Sequence, residues 1–321
     1  MKLQLKFGLI LSTISLLTFI SYAKAETKVV TSIKPIHSLI SYVMDGVGTP
    51  GLLVDGSSSP HTFQLKPSHA TMLQEADIVF WIGEDLESFL ETPLESIAKD
   101  AKQVTLMESE DIEMLKFREK NVFDDHDDHG DEHDDHDEHG DEHDEHAHHD
   151  GHNHGEFDIH FWLDPEIAKT IVQIAAKEMS EIDPANASKY EANAAKALNE
   201  LDQLINDTRG KINKDATYVV FHDAYQYFEQ RFGIEVIGAL TVNPEVLPGA
   251  KQLAEIREVI EHEGVNCLFS EPQFNPSIAE TIASDTGVKA AVLDPLGAEL
   301  EPGKDLYFDV ISDIALSLES C

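Results

Sequence analysis

The seventeen histidines of this 321-residue chain are very unevenly spread. Eleven of them, His126, His129, His133, His136, His139, His143, His146, His148, His149, His152 and His154, fall between Asp124 and Glu156. That run also holds sixteen Asp or Glu and no Lys or Arg. Imidazole suits Zn²⁺, Ni²⁺ and Cu²⁺, whereas carboxylates alone suit Mg²⁺ and Ca²⁺, so the mixture points to borderline transition-metal ions. The run has no hydrophobic periodicity with which to pack a core and is expected to be disordered, with weak and exchangeable sites. Its expected task is to gather metal, the tight holding being done elsewhere.

The other six histidines are His37, His61, His69, His160, His222 and His262. In open α/β sheets ligands gather beyond the carboxyl ends of the strands, and three of the six pass that filter. His222 directly follows the apolar run Tyr218–Phe221. His61 lies in the polar loop Ser57-Ser58-Ser59-Pro60-His61-Thr62, between a strand and a helix, and His160 lies just before another helix. A lone histidine in such a place is more often structural, but three of them beside a metal-gathering run form a candidate site. His262 shares a charged helix face with Glu258, Glu261 and Glu263 and reads as surface, while His37 and His69 fall inside predicted helices.

The elements that must position these residues alternate. Strands are predicted at Thr27–Ile33, Leu52–Val54, Ile78–Ile82 and Gln103–Leu106, with helices at Pro35–Met44, Pro67–Glu75 and Leu86–Lys99 between them. The pattern restarts with strands at Tyr218–Phe221, Val236–Ile237, Cys267–Phe269 and Ala290–Leu293 and helices at Ala250–Glu263 and Pro276–Ser284. Such alternation implies βαβ units on parallel sheets, hence an α/β fold of two βα lobes. Between the lobes, Asp183 and Pro184 read as an N-cap and first-turn proline. An apolar stripe follows through Ala187, Tyr190, Ala194, Ala197, Leu201, Leu204, Thr208 and Ile212, predicting one long, stiff helix. The expected organisation is a signal peptide at 1–25, an N-terminal lobe at 26–182 interrupted by the acidic histidine run at 124–156, a linker helix at 183–213 and a C-terminal lobe at 214–321.

The leader combines Lys2 and Lys6, an apolar run from Phe7 to Ile20, and Ala23-Lys24-Ala25, which predicts export and cleavage after Ala25. The apolar run is too short for a spanning helix and none like it follows. No cysteine stands at the cleavage point, so no lipid anchor is expected, and a periplasm is the expected compartment. A net charge of −38 excludes nucleic acid and anionic membrane surfaces as partners and favours cations. The two cysteines, Cys267 and the terminal Cys321, could form a disulfide or serve as thiolate ligands, and a cysteine at the chain end is better placed to staple a terminus.

Five motifs in order carry a resemblance: Pro60-His61-Thr62-Phe63 with Lys66-Pro67-Ser68 after it; His160-Phe161-Trp162-Leu163-Asp164-Pro165; Phe221-His222-Asp223-Ala224-Tyr225; Ser270-Glu271-Pro272-Gln273; and Leu293-Asp294-Pro295-Leu296-Gly297. Together with the acidic histidine run they resemble the zinc-specific solute-binding proteins of the cluster A-I family, over nearly the whole mature chain. The resemblance implies two lobes joined by one long rigid helix and Zn²⁺ held at their interface by His61, His160 and His222. It also implies a monomer delivering the ion to an inner-membrane ABC permease with its ATPase, and a Cys267–Cys321 disulfide. Some zinc members place a glutamate immediately before the first histidine, where this chain has Pro60. The fourth coordination position is therefore left to water or to Asp294, which matches a ligand of manganese-type relatives. Three neutral imidazoles favour zinc. The alternatives are a manganese or iron subunit of the same transporter class, or a zinc-dependent hydrolase or hydratase.

Overall fold

The computed structural model describes residues 26–118, 156–241, 244 and 248–321. The leader at 1–25 and the eleven histidines from His126 to His154 lie outside the described residues. Two four-stranded parallel sheets are present. The first runs β2-β1-β3-β4, from β1 (Val29–Ile33), β2 (Gly51–Val54), β3 (Ile78–Trp81) and β4 (Lys102–Thr105), with α1 (Lys34–Val43), α2 (Pro67–Gln74) and α3 (Ser88–Ser96) as its crossovers. The second repeats the order as β6-β5-β7-β8, from β5 (Tyr218–His222), β6 (Gly238–Thr241), β7 (Cys267–Ser270) and β8 (Lys289–Val292), with α6 (Gln226–Phe232), α7 (Ala250–His262) and α8 (Ser277–Thr286).

In each sheet the chain starts in an inner strand, goes to one side and returns to the other, which puts the topological switch beyond the carboxyl ends of β1 and β5. Both of these strands, VVTSI and YVVFH, are buried along their whole length, as expected of mainly apolar strands covered on both faces. The second sheet's ladder to β6 starts a little later than the sequence suggests. Ile237 already donates its amide to the Tyr218 carbonyl at 2.9 Å, but the paired strand is Gly238–Thr241.

Three long helices bridge the sheets: α4 (Pro165–Ile182), α5 (Ala187–Lys211) and α9 (Leu306–Glu319). The expected stripe of α5 is buried at Tyr190, Ala194, Ala197, Leu201, Leu204 and Thr208. Its start differs from the sequence reading. Asp183 ends α4, donating its amide to the Met179 carbonyl, and its carboxylate accepts from Asn186 Nδ2 at 2.6 Å and Tyr190 Oη at 3.1 Å. Asp-Pro-Ala-Asn thus forms a turn between two helices, and α5 begins after Asn186. At 1.5 Å per residue this helix extends roughly 38 Å, the scale of a lobe. Because α9 returns to pack on α1 and α5, one apolar core joins the two sheets, and little relative motion of the lobes is expected.

Cys267, the buried first residue of β7, is disulfide-bonded to Cys321 with Cα atoms 5.9 Å apart, so the two thiols are a staple on the end of α9. The turn after β8 depends on Gly297, whose φ is +68° and where an added Cβ would lie 2.8 Å from Val310 Cγ2. Gly297→Ala combines a left-handed backbone with an overlap against α9, so a loss of about 1–3 kcal/mol is expected. A urea denaturation midpoint checks it.

Candidate metal centre

His61, His160 and His222 converge. One ring nitrogen from each lies within 4.8 Å of the other two, and no other such group of His, Cys, Asp or Glu occurs among the described residues. The ring centroids are 5.8 Å apart for His61 and His160, 5.4 Å for His61 and His222, and 4.8 Å for His160 and His222. Tetrahedral zinc at ~2.0–2.1 Å would hold its ligand nitrogens roughly 3.4 Å apart, so small side-chain rotations suffice to close this set on an ion.

Each histidine is delivered by a different device. His61 rides on the loop after β2, where its amide donates to Ser59 Oγ at 3.3 Å. The far end of that loop is closed by α2: the Lys66 amide donates to His69 Nδ1 at 3.2 Å, and the His69 ring stacks on Phe63 at 5.5 Å. His69 is therefore a helix cap. His37, on α1, has Nε2 3.2 Å from the Pro50 carbonyl and is likewise structural. His262, with its side chain 76% exposed, lies on the surface as expected.

His160 precedes a 3-10 turn at Phe161–Leu163 that leads into α4. Asp158, two residues earlier, receives both the His160 amide at 2.9 Å and ring Nδ1 at 2.8 Å on one carboxylate oxygen. A proton held at Nδ1 leaves Nε2 as a lone pair, the usual way a second carboxylate orients a metal-binding imidazole. That Nε2 is fully buried and has no hydrogen-bond partner among the described residues. Burial, and secondarily the neighbouring His222, hold this imidazole well below its ordinary value, so it is neutral and able to bind a cation. Burial also pushes Asp158 up to about 7, opposed by the hydrogen bond from the His160 amide.

His222 is the last residue of β5 and is buried against Glu271, whose Oε2 lies 3.5 Å from its Nδ1. Burial raises the Glu271 carboxyl above its usual range, with His222 opposing it. Phe274 meets the His222 ring edge-on at 5.9 Å, and Trp162 packs 5.2 Å from His160. Two of the three rings thus sit in an apolar collar with one carboxylate behind each.

Asp294 needs correction as a candidate ligand. It stands outside the histidine group. Its Oδ1 accepts from Gln273 Nε2 at 2.9 Å and from the amides of Leu296 and Gly297 at 3.1 and 2.9 Å, and Oδ2 accepts from the Ala298 amide. A carboxylate so engaged ties down the turn after β8 and has little left for a cation. The sequence reading treated Glu271 only as a conjectural base and gave Asp158 no role. The Asp158-Ile159-His160 spacing was the available signal for the latter.

The space enclosed by the histidines is about 10 Å³, room for a single small particle. A larger cavity of about 780 Å³ lies beyond Glu271 and Phe274, and none of the three histidines lines it.

The chain matches the family model described as zinc-uptake complex component A, periplasmic, over residues 29–321. It is 46% identical over 312 residues to the high-affinity zinc uptake system protein ZnuA of Brucella abortus, covering 94% of this chain and 93% of that one. It is 34% identical to the protein of the same name from Yersinia pestis, with 92% of each covered. Its fold is similar to that in a crystal structure of ZnuA, with a TM-score of 0.73 at 23% identity, covering 92% of this chain and 98% of the other.

Proposed function

The chain belongs to the zinc-uptake complex component A family, and from that premise we propose that it captures Zn²⁺ with high affinity in the periplasm and hands it to an ABC importer, holding the ion on His61, His160 and His222. The observation that carries this reading is the convergence of three imidazoles around a space for one ion, with a buried carboxylate behind each of the two buried rings. Neutral nitrogen ligands favour zinc over manganese or magnesium, which take oxygen-rich sets. Since Asp294 is engaged by backbone amides, the fourth place falls to water or to a small movement of Glu271. The manganese-type ligand set is disfavoured on the same ground.

Zinc is cargo here, so the family role is solute binding for transport, with no turnover. An inner-membrane permease and its ATPase are the receiving partners, and docking of both lobes on the permease provides the moment of release. The family is periplasmic, and no helix among the described residues is long and apolar enough to cross a membrane. Cleavage after Ala25, a monomeric state and freedom from a lipid anchor complete the reading. The acidic histidine run at 124–156 serves as a weaker store that raises local zinc supply.

Titration of the full chain against a graded series of chelators tests the reading. One zinc equivalent should resist chelators that strip the rest, and an equal concentration of manganese should leave it in place. Displacement of that equivalent by manganese would overturn the zinc assignment. Asp158→Asn keeps the shape of the side chain but loses the carboxylate that fixes the His160 tautomer. A loss of about 10- to 100-fold in the affinity of the tight equivalent is expected from removal of such an orienting group. Unchanged affinity would mean that His160 is positioned by packing alone.

A further inference from the structure

Two short segments, at 114–118 and 156–158, flank residues 119–155 and meet as a small antiparallel ribbon. Lys116 is bridged to Phe157, and the Asp158 amide donates to the Leu115 carbonyl at 2.7 Å. The ribbon belongs to the N-terminal half of the chain but is docked on α6 of the other lobe. The Leu115 amide donates to Tyr227 Oη at 2.8 Å, that hydroxyl donates to the Asp158 carbonyl at 2.7 Å, and Gln226 Nε2 donates to the Lys116 carbonyl at 3.3 Å. Its outer end carries Arg118 to a pair of acids on the opposite lobe. The guanidinium pairs with Glu229 and lies 3.5 Å from Asp223 Oδ1. Both acids are nearly inaccessible, at 4% and 6% exposure, and the second Glu229 oxygen accepts from Tyr218 Oη at 3.2 Å.

These acids stand next to the histidines. Asp223 is the residue after His222, and its amide is tied to the Thr241 carbonyl at 3.2 Å. Burial drives the carboxyls of Asp223 and Glu229 upward, and Arg118 is the first influence opposing it in both. Removing the guanidinium would leave Asp223 and Glu229 as buried carboxylates without their cation partner, and a buried charge that loses its partner is costly. A guanidinium has a permanent charge and a planar fork of donors, so it can serve both carboxylates as a resident cation.

We propose that Arg118 is a positioning residue of the metal site: by pairing with Glu229 and Asp223 from across the lobe boundary, it fixes Asp223 and with it the neighbouring His222. The proposal rests on the histidine site described above. Without Arg118 the acids are uncompensated, and the nearest relief is a shift of Asp223 that carries His222 with it.

The test uses the full chain loaded with one equivalent of metal, comparing wild type, Arg118→Met, Arg118→Lys and Arg118→Met combined with Glu229→Gln. In Arg118→Met the zinc equivalent that resists chelator should be released about 10- to 100-fold faster, the range for loss of a group that orients metal ligands. The cobalt form should lose visible absorption intensity as a displaced His222 gives up its place to water. Arg118→Lys should fall between, and added Glu229→Gln should recover part of the loss because it removes one uncompensated charge. A role in folding alone would lower the melting temperature while leaving the cobalt spectrum as it was. The proposal is overturned if Arg118→Met releases zinc at the wild-type rate with an unchanged cobalt spectrum, or, should that variant fail to fold, if Arg118→Lys shows both. His222→Ala serves as the control for the site itself. If it keeps the slow zinc equivalent, the histidine assignment has failed, whereas loss there with normal behaviour in Arg118→Met removes only the role of Arg118.

Discussion

His160→Ala is expected to abolish tight zinc capture while the chain stays folded. A structural zinc site is worth roughly 10–16 kcal/mol in apparent binding free energy, or about 2.5–4 kcal/mol for each of four ligands, and that share corresponds to about 10²- to 10³-fold in affinity. His160 should lie at the upper end. It is buried at 3% exposure, its Nδ1 is committed to Asp158, and its Nε2 has no other partner among the described residues. Truncation also leaves the Asp158 carboxylate without its ring donor, although the amide of residue 160 stays in place. Chelator competition should therefore find no equivalent in His160→Ala that outlasts the weak sites, and circular dichroism should match that of the wild type. Retention of the slow equivalent would show that the ion sits elsewhere.

The second large effect concerns stability. Cys321→Ser opens a disulfide that closes a span of 54 residues in the C-terminal lobe. The loop-entropy model assigns such a crosslink about 4 kcal/mol, which for a chain of this size is a fall of roughly 10 °C in melting temperature. Serine at the half-buried terminus leaves Cys267 as a small buried thiol in β7, so the change measures the crosslink and creates no cavity. Neither cysteine lines the histidine pocket, so zinc affinity of the folded protein should hold within about threefold, as expected for distant, uncoupled sites. Calorimetric scans of both forms check the first claim and chelator competition the second. An unchanged melting temperature would mean that the packing of α9 against α1 and α5 holds the terminus without help.

The three histidines were legible in the sequence for a physical reason. Parallel βα units put their functional loops at one end of the sheet, so a histidine at the end of Tyr218–His222 or in the loop after Gly51–Val54 has few other places to go. The alternation of strands and helices was legible for the same reason, because strands covered on both faces are predominantly apolar. What escaped was decided by tertiary geometry. The carboxylate of Asp294 looks like any other in the sequence. Its use on three successive amides follows from a turn that Gly297 permits at φ +68°. The Asp183-Pro184 pair satisfies the rules for a helix start, yet Asp183 bonds Asn186 and Tyr190 and separates two helices. Arg118 meets Glu229 across 111 positions of sequence, and nothing in the local pattern distinguishes it from a solvated surface charge.

The central claim is that the three sparse histidines, and not the abundant ones, define the tight site. Anomalous scattering at the zinc edge, from crystals of the full chain loaded with one equivalent, tests it directly. The result expected is a single strong peak ~2.0–2.1 Å from one nitrogen each of His61, His160 and His222, the bond lengths of zinc to imidazole. A strong peak on the carboxylates of Asp294 or among residues 124–156, with none between those three rings, would contradict it.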